Sequence, residues 1–324
     1  MPVSGGSDMS ADVVIVGSGM AGLTCAGLLR DAGLSVLVLD KGRGVGGRMA
    51  TRRVSLPAAE LRFDHGAQYL DADGAGLSSL FRRYPAAIGD WADESGNAHV
   101  VGQPGMSSLP RAMADGIALR QGVEVTGLRH TAEGWAINTA DDSIIAPHVA
   151  LTVPAPQAAA LLADDPLGDR IGTVGMAPSL VLMAAFPATS PRPFVSLRQS
   201  DAALAWIAQD SSKPGRPADA VTWVAHASTE WSLAHLEHSK EEIAAAMLPL
   251  LCEAIGARAG DALYTAGHRW RYAQVTNPLG QPFLRHPGGR LHLGGDWCLG
   301  RKVEHAVASG AAMARDILGQ RDVA

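Results

Sequence analysis

Cysteine is scarce in this chain of 324 residues, and so are long apolar runs. Three scattered cysteines without a C-x-x-C pair argue against a disulfide scaffold or a zinc site of that type. Pro, Gly or charged residues interrupt every apolar stretch before it reaches the roughly 18–20 residues of a membrane span. The residues before Asp12 contain neither the basic nor the apolar segment of a secretory signal. We therefore expect a cytoplasmic protein that does not enter a membrane.

Positive charge is also in short supply, because 27 Lys and Arg residues stand against 32 Asp and Glu. The net charge of −5 excludes the broad basic face of a nucleic-acid-binding protein. Hydrophobic residues make up 47% of the chain and charged residues 18%, a balance typical of folded globular proteins. At roughly 100–200 residues per domain, the length predicts about two domains.

The first motif is a glycine-rich turn that follows a predicted strand. The strand, Val13 to Val16, is a short apolar run of the kind found in buried parallel sheets. The turn fits G-x-G-x-x-G and consists of Gly17, Ser18, Gly19, Met20, Ala21 and Gly22. In this motif the glycines permit a tight turn, the approach of a pyrophosphate and close packing of the next helix, whose N–H groups face the phosphates. The motif predicts a dinucleotide site.

A helix, a second strand and an acidic residue complete this unit. The helix is predicted from Leu23 to Ala32, and the strand, Ser35 to Leu39, ends at Asp40. A carboxylate at this position binds ribose hydroxyls of a dinucleotide. The order of these elements makes the interpretation much stronger than the glycine triplet alone, but it does not separate NAD from FAD.

A basic, glycine-rich loop follows the acidic residue directly. It consists of Lys41, Gly42, Arg43, Gly44, Val45, Gly46, Gly47 and Arg48. The glycines expose backbone donors, and the arginine side chains are suited to bidentate binding of phosphate oxygens. The loop is therefore predicted to bind phosphate as well.

The middle and the end of the chain predict further elements. From about 175 to 275, apolar strands separated by loops rich in Pro, Gly and Ser predict an antiparallel sheet. One long helix is predicted over Lys240 to Ile255, with a kink or a break at Pro249. Near the end, a strand over Arg290 to Leu293, a Gly-Asp pair at Asp296 and a helix from about Val303 to Leu318 predict a third cofactor-binding element.

Several strings distributed over the whole chain carry a family resemblance. They are Asp40–Met49, Phe63–Tyr69, Gly102–Met106, Val153–Gln157, Trp206–Ala208, Ser212–Pro214, Trp223–Trp231, His268–Tyr272 and Gly295–Leu299. In these strings the chain resembles the bacterial branch of the renalase family, within the FAD-dependent flavoprotein amine oxidase superfamily. The resemblance covers both predicted domains and so goes beyond a shared cofactor fold.

The resemblance implies an α/β fold with a discontinuous Rossmann-type FAD-binding domain and an inserted substrate domain on a mostly antiparallel sheet with helices. The implied FAD-binding domain comprises residues 1–72, 106–165 and 287–324, and the substrate domain comprises 73–105 and 166–286. FAD is implied to bind without a covalent bond. Besides Gly17 to Gly22, the residues implied to bind it are Asp40, Lys41, Gly42, Arg43, Gly47, Arg48, Gly66, Ala67, Gln68, Val125, Pro154, Gly295, Asp296, Lys302 and Val303.

The implied reaction is oxidation of the 2- or 6-dihydro isomers of NAD(P). They give NAD(P)+, and O2 reoxidises the flavin to yield hydrogen peroxide, which would make the activity a form of metabolite repair. A dihydropyridine becomes aromatic on losing hydride, so it needs a dry pocket and a held position rather than a strong base. We expect pocket walls from Gln68, Tyr69, Trp223, His226, His268, Trp270, Tyr272 and Trp297. Gln68 and His226 are expected to bind the carboxamide.

Two alternatives remain open at this point. An amine oxidase on the same scaffold usually carries a lysine near the flavin, and here no lysine is predicted in the middle of a substrate-domain strand. The four lysines are Lys41, Lys213, Lys240 and Lys302. A flavoprotein that senses redox state without turnover is the second alternative, but no cysteine has a resolving partner nearby in sequence. The preferred isomer, the choice between NAD and NADP, and the oligomeric state are not predicted.

Overall fold

The largest sheet of the protein has six strands and is mostly parallel. The computed structural model describes residues 11–57, 59–74, 76–162, 165 and 167–321. In spatial order the strands are β18 (Leu284–Arg285), β19 (Leu291–Leu293), β12 (His148–Leu151), β1 (Val13–Val16), β2 (Val36–Asp40) and β8 (Ala118–Gln121). Only the β18–β19 pair is antiparallel. The carboxyl ends of the parallel strands therefore meet at one edge, where such sheets bind ligands.

Two helices pack against each other beside this sheet. They are α1 (Met20–Asp31) and α8 (Val303–Arg321). The crossing is close, because a Cβ atom added at Gly310 would overlap the carbonyl oxygen of Ala21. Glycine at this position thus sets the distance between the two helices, each of which begins just after the carboxyl end of a sheet strand.

The second large sheet has five antiparallel strands. In spatial order they are β14 (Ser196–Arg198), β15 (Leu204–Gln209), β16 (Ala220–Ala227), β13 (Gly175–Pro187) and β17 (Tyr264–Asn277). A hairpin of two strands, β3 (Thr51–Leu56) and β4 (Ala59–Asp64), packs on one face through an apolar cluster. The helix α7 (Lys240–Ile255) packs on the other. The predicted α/β class, with a divided parallel sheet and a mostly antiparallel one, is confirmed.

The helix α7 begins and ends with well-defined caps. Ser239 and Glu242 form a capping box at its start, and Gly256 ends it with φ of 69°. Pro249 lies inside one continuous helix, so the predicted break is not observed. Because Pro249 has no N–H, the carbonyl of Ala245 lacks its helix hydrogen bond. Both residues are exposed, so a water molecule can donate to that carbonyl instead.

Smaller sheets and helices complete the fold. One three-stranded sheet comprises β9 (Val125–Thr131), β10 (Gly134–Thr139) and β11 (Ser143–Ala146), and another comprises β5 (Leu70–Asp71), β6 (Ile88–Ala92) and β7 (Ala98–Gly102). The remaining helices are α2 (Leu77–Arg83), α3 (Ser108–Ala114), α4 (Ala155–Leu161), α5 (Leu167–Ile171) and α6 (Thr229–Ala234). None of the helices in the described ranges has the length and apolar character to cross a membrane. The strand β18 joins the parallel sheet before residue 287, and the exact domain limits remain a prediction.

We predict that Gly310→Ala destabilises the protein by about 1–3 kcal/mol, because the added methyl group forces α8 away from α1. The control is Gly319→Ala in the same helix, where a Cβ atom would have no neighbour within 4 Å. This control should be neutral or stabilising by up to about 1 kcal/mol, since alanine favours helix. Urea unfolding measures both free energies. Equal effects of the two substitutions would contradict the close crossing.

Candidate functional site

The glycine-rich turn between β1 and α1 has the geometry of a phosphate-binding loop. Gly17 has φ of 111°, and a Cβ atom at Gly22 would overlap the carbonyl oxygen of Gly17. A Cβ atom at Gly19 would meet nothing within 4 Å, so this part of the turn is open. Gly19 is also the N-cap of α1, without a side-chain hydrogen bond, and the first turn holds no acidic residue. The backbone N–H groups of the helix start are therefore available to an anion such as a dinucleotide pyrophosphate.

Asp40 ties this turn to the loop that follows β2. One of its carboxylate oxygens accepts hydrogen bonds of 2.6 Å from the backbone N–H and from the hydroxyl of Ser18. The other accepts a bond of 2.6 Å from the N–H of Gly42. A carboxylate has about four acceptor positions, so Asp40 retains capacity for ribose hydroxyls.

The basic loop runs back over the glycine-rich turn. The N–H of Gly46 donates to the carbonyl of Ser18 at 2.9 Å. A Cβ atom at Gly47 would lie 3.7 Å from the Cα atom of Gly19, so two glycine backbones face each other. Arg43 is exposed, and Lys41 is 3.4 Å from Glu124 at the surface. The backbone of this loop, more than its cationic side chains, therefore borders the turn.

Arg48 joins three distant parts of the chain. Its two terminal nitrogens donate to the two carboxylate oxygens of Asp296, at 2.8 and 2.6 Å. One of them also donates to the carbonyl of Ala273 in β17 at 3.0 Å. The carbonyl of Arg48 accepts from the N–H of Ala67 at 2.7 Å, and a Cβ atom at Gly66 would overlap it. The two residues expected to bind FAD separately thus bind each other, a pairing that the sequence did not predict.

The remaining predicted cofactor residues lie on elements that border the same edge of the parallel sheet. Val125 is buried at the start of β9, and Pro154 precedes α4 just after β12. Val303 begins α8 and is half-buried. The ammonium of Lys302 is 2.5 Å from Asp71, so this side chain is held at the surface. The uncapped start of α1 and the open position at Gly19 fit a bound dinucleotide such as FAD.

Four side chains form a line across the five-stranded sheet, which we call the cross-strand row. The strand register places them opposite one another on β15, β16, β13 and β17, and they are Trp206, His226, Val181 and His268. Residues opposite one another in antiparallel strands share a face of the sheet. The row therefore presents two histidines and a tryptophan to the segment that follows the hairpin.

The segment from His65 to Tyr69 runs along this row. The His65 ring lies 4.6 Å from that of His268, and the Tyr69 ring lies 6.0 Å from that of Trp206. Trp270 stacks on His65 at 5.3 Å and donates from its indole N–H to the carbonyl of His65 at 2.7 Å. The sequence string Phe63–Tyr69 contained the signal for this segment, although His65 was not among the predicted site residues.

Gln68 connects the segment to the middle of the row. Its amide nitrogen donates to the backbone carbonyls of Asp64 and Gly66 and lies 3.1 Å from Nε2 of His226. An amide nitrogen cannot accept a hydrogen bond, so the neutral His226 faces it with an unprotonated Nε2 and carries its proton on Nδ1, 3.4 Å from the hydroxyl of Ser179. The amide oxygen of Gln68 is buried and has no hydrogen-bond partner among the described residues. Burying a hydrogen-bond acceptor without a donor costs free energy, unless a ligand or a water molecule supplies the donor.

The histidines of the site are held neutral by their surroundings. Burial, with the nearby His65 and Lys213, lowers the pKa of His226 to about 3. Burial, together with His65, Lys240 and Arg52, lowers the pKa of His268 to about 3. Burial also lowers the pKa of His65. In the described chain no carboxylate or lysine forms a hydrogen bond with His226 or His268.

The structure does not bring Trp223 and Trp297 to this pocket. Trp223 is fully buried on the opposite face of the sheet. It lies three positions before His226, and side chains an odd number of positions apart in a strand point to opposite faces. Trp297 is fully buried in the core of the parallel sheet, where its indole N–H donates to the carbonyl of Val153 at 3.1 Å. Both contribute to packing instead of to the pocket walls.

The two predicted tyrosines have different surroundings. Tyr69 stacks on His99 at 3.9 Å, and its hydroxyl accepts from Arg198 at 3.2 Å. Tyr272 is half-buried on β17, where its side chain has no hydrogen bond or ring contact with the described residues. A bulge in the pairing of β13 with β17 lies next to it. Tyr69 therefore contacts the row from the segment, and Tyr272 lies beyond the row.

Four buried charges support the hairpin beneath the segment. Asp64 is bound by Lys213 at 3.2 Å and by Arg216, and Asp210 is bound by Lys213 at 2.8 Å. The four side chains are at most 1% exposed, and we call them the buried tetrad. Asp64 also accepts from Thr51 and from the backbone of Met106. The tetrad thus fixes the start of the segment that carries Gln68, and Lys213 is fully engaged in it.

Comparison with known proteins supports a flavoprotein fold over nearly the whole chain. Residues 15–84 match an NAD(P)-binding Rossmann-like domain. Wild-type putrescine oxidase bound to putrescine is similar with a TM-score of 0.74 and 17% identity over 96% of this chain and 99% of that one. Cyclohexylamine oxidase from Brevibacterium oxydans is similar with a TM-score of 0.76 and 15% identity over 97% and 100%. Identities this low establish a common fold and leave the substrate open.

The family assignment comes from the larger part of the chain. Residues 85–318 match the flavin containing amine oxidoreductases, a region of more than half of the 324 residues. The glycine-rich turn and its uncapped helix provide the dinucleotide site that a flavin requires. This chain therefore belongs to the family of flavin containing amine oxidoreductases.

Proposed function

We propose that this protein is an FAD-dependent oxidase that removes hydride from the 2- or 6-dihydro isomers of NAD(P) and returns NAD(P)+. The role would be metabolite repair, in the cytoplasm where these coenzymes circulate. The observation that carries the proposal is the buried amide oxygen of Gln68, which lies beside a neutral His226 and has no hydrogen-bond partner in the described part of the chain. When bound, FAD supplies a two-electron hydride acceptor that O2 reoxidises, yielding hydrogen peroxide.

A set of backbone groups and small residues is proposed to hold FAD. It comprises the glycine-rich turn, Asp40, the basic loop, Gly66 to Gln68 and the start of α8. The three cysteines are buried, and burial raises the pKa of Cys298 to about 12. A thiol that stays protonated is a poor nucleophile, which supports binding of FAD without a covalent bond.

The polarity of the row suits a carboxamide-bearing ring. The oxygen of Gln68 is placed to accept a hydrogen bond from the amide nitrogen of a nicotinamide. This contact would fix the orientation of the nicotinamide ring. The hydrogen bond of Gln68 to His226 holds that amide in place. Trp206 and Val181 are buried and the two histidines are half-buried, which limits the access of water to the same acceptor.

The reaction requires no strong base, and the row offers none. Neutral imidazoles with pKa values of about 3 accept protons weakly at pH 7. A dihydropyridine loses hydride without first losing a proton, because aromatisation of the ring drives the step. The product carries a positive charge on its ring, and a neutral row has no fixed negative charge to retain it.

Amine oxidation is the second candidate, because the family and two similar structures carry that activity in their names. The geometry favours it less. The one lysine buried beside the row, Lys213, is bound by both Asp64 and Asp210. An ammonium with two carboxylate partners is not free to hold a water near a flavin ring.

Anaerobic mixing of the purified yellow protein with each substrate class tests the proposed function. We expect the 2- or 6-dihydro isomers of NAD to bleach the flavin absorbance rapidly and putrescine or cyclohexylamine to leave it unchanged. Ordinary NADH serves as the control for a correctly reduced coenzyme. Bleaching by the amines alone would establish the second candidate and overturn the first.

Gln68→Leu should slow flavin reduction by dihydronicotinamide isomers about tenfold or more, because a buried substrate amide then lacks its acceptor. Because Gln68 also belongs to the set proposed to hold FAD, the rate is expressed per bound FAD, whose content the visible spectrum measures. Gln274→Leu, an exposed position on β17, is the matched control. If the double variant of Gln68 and His226 kept full turnover, the carboxamide assignment would be wrong.

Acid should destabilise the protein through its neutral histidines. Between about pH 6.5 and pH 3 the unfolded chain binds protons at positions 226 and 268 that the folded state excludes. The free energy of unfolding therefore falls as the pH drops through this window, by up to about 1.4 kcal/mol per pH unit for each histidine. His226→Gln should flatten the dependence, and the exposed His130→Gln should not. Urea unfolding at pH 5 to 8 measures both, and equal slopes in all three proteins would contradict the neutral state.

A further inference from the structure

A cleft of about 430 Å³ lies at the edge of the five-stranded sheet. It is formed by the first two turns of α7, by the edge strand β17 and by Arg52 of the hairpin. Its volume is within the range of about 300–1,000 Å³ that is typical of small-ligand sites. The lining residues that matter here are Arg52, Lys240, Glu241, Thr265 and Gly267.

Two positive charges face this cleft without ion-pair partners. Within the described ranges, neither Arg52 nor Lys240 forms a salt bridge, and both are exposed. Glu242 is occupied in the capping box of α7, which leaves Glu241 as the one carboxylate in the lining. The cleft therefore has an excess of positive charge, and its arginine and lysine are the side chains that bind phosphate best.

The cleft continues the cross-strand row beyond its last strand. Ala266 and Gly267 line the cleft and immediately precede His268, the end of the row, on β17. Ala266 lies two residues from His268, or about 7 Å along an extended strand. The positive charges of Lys240 and Arg52 also reach His268, where they contribute to its lowered pKa. The cleft therefore borders the end of the row at the edge of the sheet.

We propose that Arg52 and Lys240 bind the diphosphate of a dinucleotide substrate whose nicotinamide occupies the row. This inference rests on the proposed function and extends it, since it makes the whole dinucleotide, and not the nicotinamide riboside alone, the preferred substrate. One ribose separates the nicotinamide from the first phosphate, and about 7 Å of extended strand separates His268 from the cleft residue Ala266. Thr265 adds a hydroxyl donor to the same wall.

The test compares two substrates that differ only in the phosphate-bearing half. One is the 2- or 6-dihydro isomer of NAD, and the other is the corresponding dihydronicotinamide riboside. In the double variant Arg52→Ala with Lys240→Ala, the KM for the dinucleotide should rise about tenfold or more. The kinetics of flavin reduction by the riboside should not change. Added salt should weaken the binding of the dinucleotide but not the binding of the riboside.

Two control variants separate the cleft from general charge effects. Arg53→Ala removes the next arginine, which faces the other side of β3 opposite Arg62 and should leave both substrates unaffected. Glu241→Gln removes the opposing charge and should lower the KM for the dinucleotide. An equal loss for dinucleotide and riboside in the double variant, or no loss for either, would overturn the proposal.

A binding measurement that needs no turnover keeps the two proposals distinguishable. ADP carries the diphosphate but no nicotinamide, and calorimetry of the FAD-loaded protein should detect its binding in the unaltered protein and its loss in the double variant. If neither dihydronicotinamide bleaches the flavin, the proposed function is wrong. The ADP result alone then decides whether the cleft binds a diphosphate. Failure of the unaltered protein to bind ADP would overturn the diphosphate site.

Discussion

The ion pair between Arg48 and Asp296 is the contact on which the arrangement of the site depends. It is bidentate, its carboxylate is 8% exposed, and it joins positions 248 residues apart. The same guanidinium binds the carbonyl of Ala273, so the nucleotide loop, the turn that precedes the last helix and the edge strand of the antiparallel sheet meet at one side chain. Removing one partner of such a partly buried pair leaves an uncompensated charge. The contact thereby links the carboxyl edge of the parallel sheet to the antiparallel sheet.

A second constraint supports this one from beneath. The buried tetrad takes four charges out of water, which costs free energy that mutual attraction and hydrogen bonds must offset. The tetrad fixes the position of Asp64, and Asp64 immediately precedes the segment of His65 to Tyr69. The start of that segment is therefore fixed as well. The segment then lies across successive strands, with His65 at His268 and Gln68 at His226. Positioning of this segment by its contacts with the sheet suits a reaction that depends on holding a ring in place.

Local signals in the sequence predicted the nucleotide unit well, and long-range contacts were beyond them. The turn from Gly17 to Gly22 and the strand ending at Asp40 are set by neighbours in sequence, and the structure shows both elements. The alternation of β16 contained the information that Trp223 and His226 face opposite sides, yet only the packing of α7 shows which side is core. The pairing of Arg48 with Asp296 and the assembly of the buried tetrad depend on topology, which no spacing rule gives. At Pro249 the local rule that proline breaks a helix predicts the wrong outcome, because the exposed position lets water replace the missing hydrogen bond.

The charge distribution of the site distinguishes two chemistries that share one fold. An amine reaches the active site as an ammonium ion and must lose a proton before it can lose hydride, so its enzyme needs a group that accepts or relays that proton. Here the histidines of the row are weak acceptors, and Lys213 is bound by two carboxylates. A neutral dihydropyridine with an anionic diphosphate has complementary needs, namely an uncharged pocket for its ring and cations further out. The proposed substrate would meet a neutral row followed by Arg52 and Lys240 in that order, whereas membership of the family by itself leaves the substrate open.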